Sequence, residues 1–263
     1  MTQAPEIPTV LLAGGVPLPI VGFGTWQITG QHAYDAIRAA LDIGYRHIDT
    51  ATMYNNEREV GRAVRDSGLA REDIFITTKL APARAGHERQ TILASLQALD
   101  TDHVDLWLIH WPPNRSASPQ TWRQFLAARD DGLARTVGVS NYSTNQLDEL
   151  IKLTGEAPAV NQVPWSPSQH DAQTIEEHRE RGVVIEGYSS LKSSDLRHPV
   201  LTAIAAKHGV TPAQVVLRWH LEHNIVVIPK SVDPARMAAN LDLFGFTLTG
   251  EEVASIDGLS GQR

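Results

Sequence analysis

Asp49 and Tyr54 stand five residues apart in Asp49-Thr-Ala-Thr-Met-Tyr54, while Lys79 and His110 each close a later hydrophobic run. Asp49 ends Tyr45-Arg-His-Ile, Lys79 ends Ile74-Phe-Ile-Thr-Thr, and His110 ends Val104-Asp-Leu-Trp-Leu-Ile. Read as three successive strands, these runs bring three titratable side chains out at the same strand end. A barrel would gather a carboxylate, an ammonium and an imidazole around the Tyr54 phenol. Such a set has what is needed to deliver a proton to a carbonyl oxygen.

The surrounding pattern supplies the strands. Val10-Leu-Leu, Ala-Gly14-Gly15 and Val16-Pro-Leu read as a short hairpin, its paired glycines giving positive φ at the turn, and it is expected to plug one barrel end. From Val21–Thr25 onward strands and amphipathic helices alternate, as a parallel sheet requires. Seven more strands follow: Tyr45–Ile48, Ile74–Thr78, Val104–Ile109, Thr136–Val139, Val160–Val163, Val183–Gly187 and Ile225–Ile228. Helices are expected over His32–Leu41, Glu57–Asp66, Glu88–Leu99, Pro119–Ala128, Asn145–Leu153, Ala172–Arg181, Pro199–Lys207, Pro212–His220 and Ala235–Leu241, several with proline in the first turn. A doubly wound sheet shares the alternation, but Gly22-Phe-Gly24 continues as Thr-Trp-Gln with no further glycine opening a helix. Eight units favour a (β/α)8 barrel as a single domain over 1–263.

Composition agrees. The 263 residues, 42% of them hydrophobic, match the usual size of one such barrel. A formal net charge of −7 without basic runs gives no sign of nucleic acid or an anionic membrane, so the expected partner is a small molecule and the expected state a monomer. With no cysteine there is neither a disulfide framework nor thiolate chemistry. Met-Thr-Gln-Ala-Pro-Glu-Ile-Pro lacks the basic start and apolar stretch of a signal peptide, which reads as a cytoplasmic protein.

Every strand exit carries polar chemistry: Asp49, Lys79, His110, Ser140-Asn141, Asn161-Gln162, Tyr188-Ser189-Ser190 and Lys230-Ser231. In a barrel of this kind that rim is where active sites are built. One such residue alone is more often a strand cap, but seven in succession form a pattern. Six segments then resemble the aldo-keto reductase superfamily, in order and at its intervals, and most closely its prokaryotic 2,5-diketo-gluconate reductase-like members. They are Gly22-Phe-Gly-Thr-Trp26, Asp49-Thr-Ala-Thr-Met-Tyr54-Asn-Asn-Glu57, Leu108-Ile-His110-Trp-Pro112, Gly138-Val-Ser-Asn141, Asn161-Gln162 and Ile228-Pro-Lys-Ser231.

The resemblance implies that Tyr54 is the proton donor, supported by Asp49, Lys79 and His110, in the NADPH-dependent reduction of aldehydes, ketones or α-dicarbonyls. An unperturbed tyrosine titrates near ~10, so it needs a cation such as Lys79 to stabilise the phenolate. Asp49 would hold Lys79, and His110 would bond the substrate oxygen. For the cofactor, the resemblance points to Gly24, Thr25, Trp26 and Asp49 near the first strands, and to Ser140, Asn141 and Gln162 on the nicotinamide carboxamide. Tyr188 would stack on the ring, with Ser189 and Leu191 following it. Lys230, Ser231, Val232, Arg236 and Asn240 resemble the adenosine end, where cations and a hydroxyl suit a 2′-phosphate and so favour NADPH over NADH. Lys192 departs from the pattern, standing where many relatives have glycine, and Ala239 stands where many have a polar residue.

Trp26 and Trp111 would wall the substrate pocket. Short connections after Lys79 and Pro112 and the early stop at Arg263 suggest an open pocket of broad specificity. Two other readings compete: a cofactor-binding regulatory subunit of the potassium-channel β type, and a metal-dependent hydrolase barrel using His47, Asp49 and His110. His-x-Asp is a weak metal signal, and His47 reads instead as a structural barrel residue.

Overall fold

The computed structural model describes residues 7–261, so Met1–Glu6 of the segment read for a signal peptide lie outside it. β1 (Thr9–Leu11) and β2 (Pro17–Pro19) pair antiparallel, with φ of 82° and 79° at Gly14 and Gly15 turning the hairpin. Leu12, Val16, Leu18 and Ile20 bury into the same apolar core as the barrel strands. Because the chain runs from Pro19 directly into the first barrel strand, the hairpin sits at the strand N-termini, opposite Asp49.

The alternation then runs β3 (Phe23–Gly24), α1 (Gly30–Ile43), β4 (His47–Asp49), α2 (Glu57–Asp66), β5 (Phe75–Leu80), α3 (Glu88–Leu99), β6 (Val104–Ile109) and α4 (Pro119–Asp130). It continues through β7 (Ala134–Ser140), α5 (Thr144–Thr154), β8 (Val160–Pro164), α6 (Ala172–Glu180), β9 (Val184–Tyr188), α7 (Pro199–His208), α8 (Pro212–Glu222) and β10 (Val226–Val227), and ends with α9 (Pro234–Leu241) and α10 (Gly250–Asp257). β3 to β10 form one parallel sheet in sequence order. The sheet closes on itself where Val21 bridges Val227, the Gly22 amide donates to the Val227 carbonyl at 2.8 Å, and the Gly24 amide to that of Pro229 at 3.2 Å. This is the (β/α)8 barrel.

The seam strands are shorter than the sequence suggests, β3 covering only two residues of Val21–Thr25 and β10 two of Ile225–Ile228. Pro229 has no N–H to extend the ladder, and glycine is needed for the close approach. A Cβ on Gly24 would lie 2.6 Å from the Ile228 carbonyl, and one on Gly22 would lie 2.4 Å from the His47 ring.

Helix placement follows apolar spacing. In α1, Ala33, Ile37, Ala40 and Leu41 are buried on one face, and Gly44, at φ 128°, ends the helix by donating to Ala40 and Leu41. α10 was not expected from the sequence, although its start is written there. Thr249 and Glu252 form a reciprocal capping box, and Ile256 is buried in a second apolar cluster with α7 and α8. Among the described residues no single helix is long and apolar enough to cross a membrane.

Candidate active site

Register decides which side chains meet. Asp49 is level with Gly24 and Thr77, Lys79 with Leu108, Ser140 with Gln162, and Gln162 with Glu186. Lys79 is fully buried, and its Nζ donates to Asp49 Oδ1 and Oδ2, each at 2.7 Å, and to the Thr50 carbonyl at 2.9 Å. The fourth neighbour is Tyr54 Oη at 3.4 Å, on the 3₁₀ turn Thr52–Tyr54 that follows β4. Thr52 pins that turn by donating to the Lys79 carbonyl at 2.9 Å.

Burial opposes the Lys79 charge, but Asp49 and the phenol together more than compensate and hold the ammonium above its ordinary range. Burial raises Tyr54, and Lys79 pulls it partly back. His110 meets Tyr54 edge-on at 5.7 Å, and burial, with Lys79 second, lowers it to about 3, so it is neutral at physiological pH. Its Nδ1 is buried without a partner among the described residues. Because an N–H with no acceptor costs more than a bare lone pair, the proton belongs on Nε2, the nitrogen left for the cavity.

That cavity has a volume of about 500 Å³, and Tyr54, Asp49 and His110 line it. Trp26, Met53 and Trp111 form its exposed apolar wall. Gly24, Ser140, Asn141, Gln162 and Tyr188 line it deeper in, with Ser189, Leu191, Lys192 and Lys230 along the rim.

The expected nicotinamide residues are tightly interlocked. Asn141, held at φ 63°, donates to the His110 carbonyl at 3.0 Å and to Ser140 Oγ at 2.9 Å, and accepts from Tyr188 Oη at 2.7 Å. Gln162 spends both Nε2 hydrogens, on Asp49 Oδ2 and on Glu186 Oε2, each at 2.9 Å. Its carbonyl oxygen is what remains for a ligand.

Other expected site residues lie outside the cavity lining. Thr25 is buried and donates to the Asp49 carbonyl at 2.8 Å, which makes it a brace for β4. Ser231 turns to its own backbone, bonding with Asp233, and Asn240 is buried on the inner face of α9. Val232 and Arg236 are exposed, and Arg236 Nε lies 3.3 Å from Asp233 Oδ2.

Glu186 was missed from the sequence. It is fully buried inside β9, and burial with the nearby Asp49 carboxylate pushes it up to about 8. An acid in the middle of an otherwise apolar strand was the available signal. His47 lies beneath it, with Nε2 3.0 Å from Thr77 Oγ1 and 3.7 Å from Glu186 Oε1. His47, Asp49 and His110 therefore do not form a ligand set, since Lys79 and Gln162 take both Asp49 oxygens and His47 faces Thr77.

The family model of the Aldo/keto reductase family matches residues 20–260, and the chain belongs to that family. It is 44% identical over 261 residues to an aldo-keto reductase of Mycolicibacterium smegmatis, covering 97% of this chain and 95% of the relative. It is also 43% identical over 264 residues to 2,5-diketo-D-gluconic acid reductase B of a Corynebacterium species, covering 98% and 95%. Among solved structures, an aldo/keto reductase of Brucella melitensis superimposes with a TM-score of 0.93 at 42% identity, over 97% of this chain and all of that one. A Bombyx mori aldo-keto reductase in complex with NADP gives a TM-score of 0.89 at 32% identity, over 99% and 95%.

Proposed function

We propose that this barrel, a single domain over 1–263, is an NADPH-dependent reductase of aldehydes, ketones or α-dicarbonyls in which Tyr54 donates the proton. The observation that carries this reading is the Lys79 ammonium, bound to both Asp49 oxygens and touching the Tyr54 phenol at the cavity wall. Carbonyl reduction with NADP(H) is the chemistry of the family; the residue roles are our assignment.

The donor set fits the cofactor. Gln162 has only an acceptor free, which suits a carboxamide N–H, and the Tyr188 ring is fixed by its bond to Asn141. Bound there, the cofactor supplies the hydride. The chain's own part is to orient the carbonyl through His110 Nε2–H and to pass the Tyr54 proton to its oxygen while Lys79 steadies the phenolate. Trp26 and Trp111 favour apolar carbonyl compounds beside the reacting group.

The test is loss of NADPH absorbance over an aldehyde panel, run with both cofactors. Turnover with NADPH preferred is the expected result. Only slow turnover together with tight binding to a membrane protein would favour the regulatory-subunit reading instead. Placement in the cytoplasm and a monomeric state belong to the same proposal.

A further inference from the structure

Glu186 has no part in the chemistry proposed above, although it is fully buried at the centre of β9. Its place there is costly. Lys79 is already spent on both Asp49 oxygens and the Thr50 carbonyl, so no cation is left to pair with Glu186 among the described residues. Its Oε1 has no hydrogen-bond partner among them either, with His47 Nε2 3.7 Å away. The group is therefore held as the uncharged acid at neutral pH, since a hydroxyl short of an acceptor costs far less than a buried charge short of a partner. An aliphatic side chain would fill the same strand position without either cost. What it could not do is accept a hydrogen bond.

That bond is the one Glu186 makes. Its Oε2 accepts from Gln162 Nε2 at 2.9 Å, directly across the register of β8 and β9, while Asp49 Oδ2 accepts the other Gln162 hydrogen at 2.9 Å. The strand beneath is fixed as well, by Ser140 Oγ donating to the Gln162 main-chain carbonyl at 2.7 Å. The side-chain amide is the freedom that remains. Its two N–H bonds diverge within the amide plane. A single acceptor would let the amide pivot about that bond, whereas acceptors on two different strands fix the plane and so the direction of its C=O. Gln162 lines the carbonyl cavity, and this oxygen is the part of its amide left to meet a ligand.

We propose that Glu186 is a positioning residue for cofactor recognition: by taking the second Gln162 hydrogen it aims the amide oxygen at the carboxamide N–H of nicotinamide, and so sets the preference for a carboxamide over a ring substituent that has no N–H. The inference rests on the reading of this cavity as the nicotinamide site. It adds that selectivity is set from a residue outside the cavity lining.

The experiment titrates the full chain calorimetrically with NADP⁺ and with its acetylpyridine analogue, in which a methyl ketone replaces the carboxamide and leaves no N–H to donate. The native chain should bind NADP⁺ roughly tenfold more tightly, the size of one hydrogen bond. Glu186→Leu should weaken NADP⁺ by roughly 5–10-fold and the analogue by no more than about twofold, because only NADP⁺ shares the contact, and the preference should largely disappear. Glu186→Gln keeps an acceptor for Gln162 and should restore the preference to within about twofold of native. If Glu186→Leu does not fold, Glu186→Val, equally without an acceptor, must show the same loss. A general loosening of the site would weaken both ligands alike. That result, or a preference unchanged in the apolar variant, would overturn the role of Glu186 and leave the nicotinamide site standing. Absence of any preference in the native chain would remove the contact between Gln162 and the carboxamide, and this proposal with it.

Discussion

Lys79 and Arg236 are both cations assigned to one cleft, yet the protein treats them in opposite ways. Lys79 is fully buried and saturated by Asp49, Thr50 and Tyr54 before any ligand arrives. Arg236 has a side chain 78% exposed and, among the described residues, leans on Asp233, the residue that caps its own helix. On the proposed roles the chemical end is thus preorganised, so its geometry would cost nothing further at the moment of reaction. On the proposed roles the phosphate end presents Lys230, Val232 and Arg236 at the surface, with Ser231 and Asn240 buried. Damage to the first should remove rate and stability together, and damage to the second should remove affinity alone.

The strongest way to break this contrast is Lys79→Met. It leaves Asp49 buried without its cation, which should cost about 3–5 kcal/mol of stability and lower turnover by roughly 10²–10⁴. Urea unfolding and NADPH oxidation read both effects, and a variant as stable as the native chain would show that the pair is no keystone. Next in size is Arg236→Ala. Loss of a charge-assisted bond of about 1.5–3 kcal/mol should weaken NADPH roughly 10- to 100-fold, leave NADH unchanged, and leave stability untouched. Equal weakening of both cofactors would remove the phosphate site from the account.

Tyr188→Ala sharpens the boundary between the two ends. It removes a stacking face worth about 0.5–1.5 kcal/mol beyond area and also strips Asn141 of a donor, so NADPH affinity and hydride transfer should both decline moderately. Unchanged affinity on titration would make Tyr188 a core filler.

The smallest effect is on pH. Glu186 sits at about 8 in the folded chain against an ordinary 4.5, so the folded form holds the extra proton and stability falls as pH rises between those values. His47 and His110, lowered to about 3, and His220, lowered to about 4, act in the other direction but only below the ordinary 6.5. From pH 6.5 to 8 the Glu186 contribution stands apart from theirs. Over that window the unfolding temperature should drop by a few degrees, at roughly 2–4 °C per kcal/mol, and Glu186→Gln should flatten the slope.

The strand-end chemistry was legible because Asp49, Lys79 and His110 each follow an apolar run whose length fixes where the side chain emerges. Contacts across the barrel were not. That Gln162 links Asp49 to Glu186 depends on the registers of β8 and β9, which no local spacing encodes. The seam strands came out shorter because closure there rests on one bridge and a proline. α10 was overlooked although Thr249 and Glu252 mark its start, since its apolar face is sparse and becomes meaningful only against α7 and α8.

The central claim, that Tyr54 supplies the proton while other side chains of the same cavity hold the cofactor, is tested most directly by Tyr54→Phe. Single-turnover hydride transfer and NADPH titration should be measured on the same preparation. The transfer rate should fall by roughly 10²–10⁴, with NADPH affinity close to native. A rate within tenfold of native, or a loss of affinity that matches the loss of rate, would contradict it.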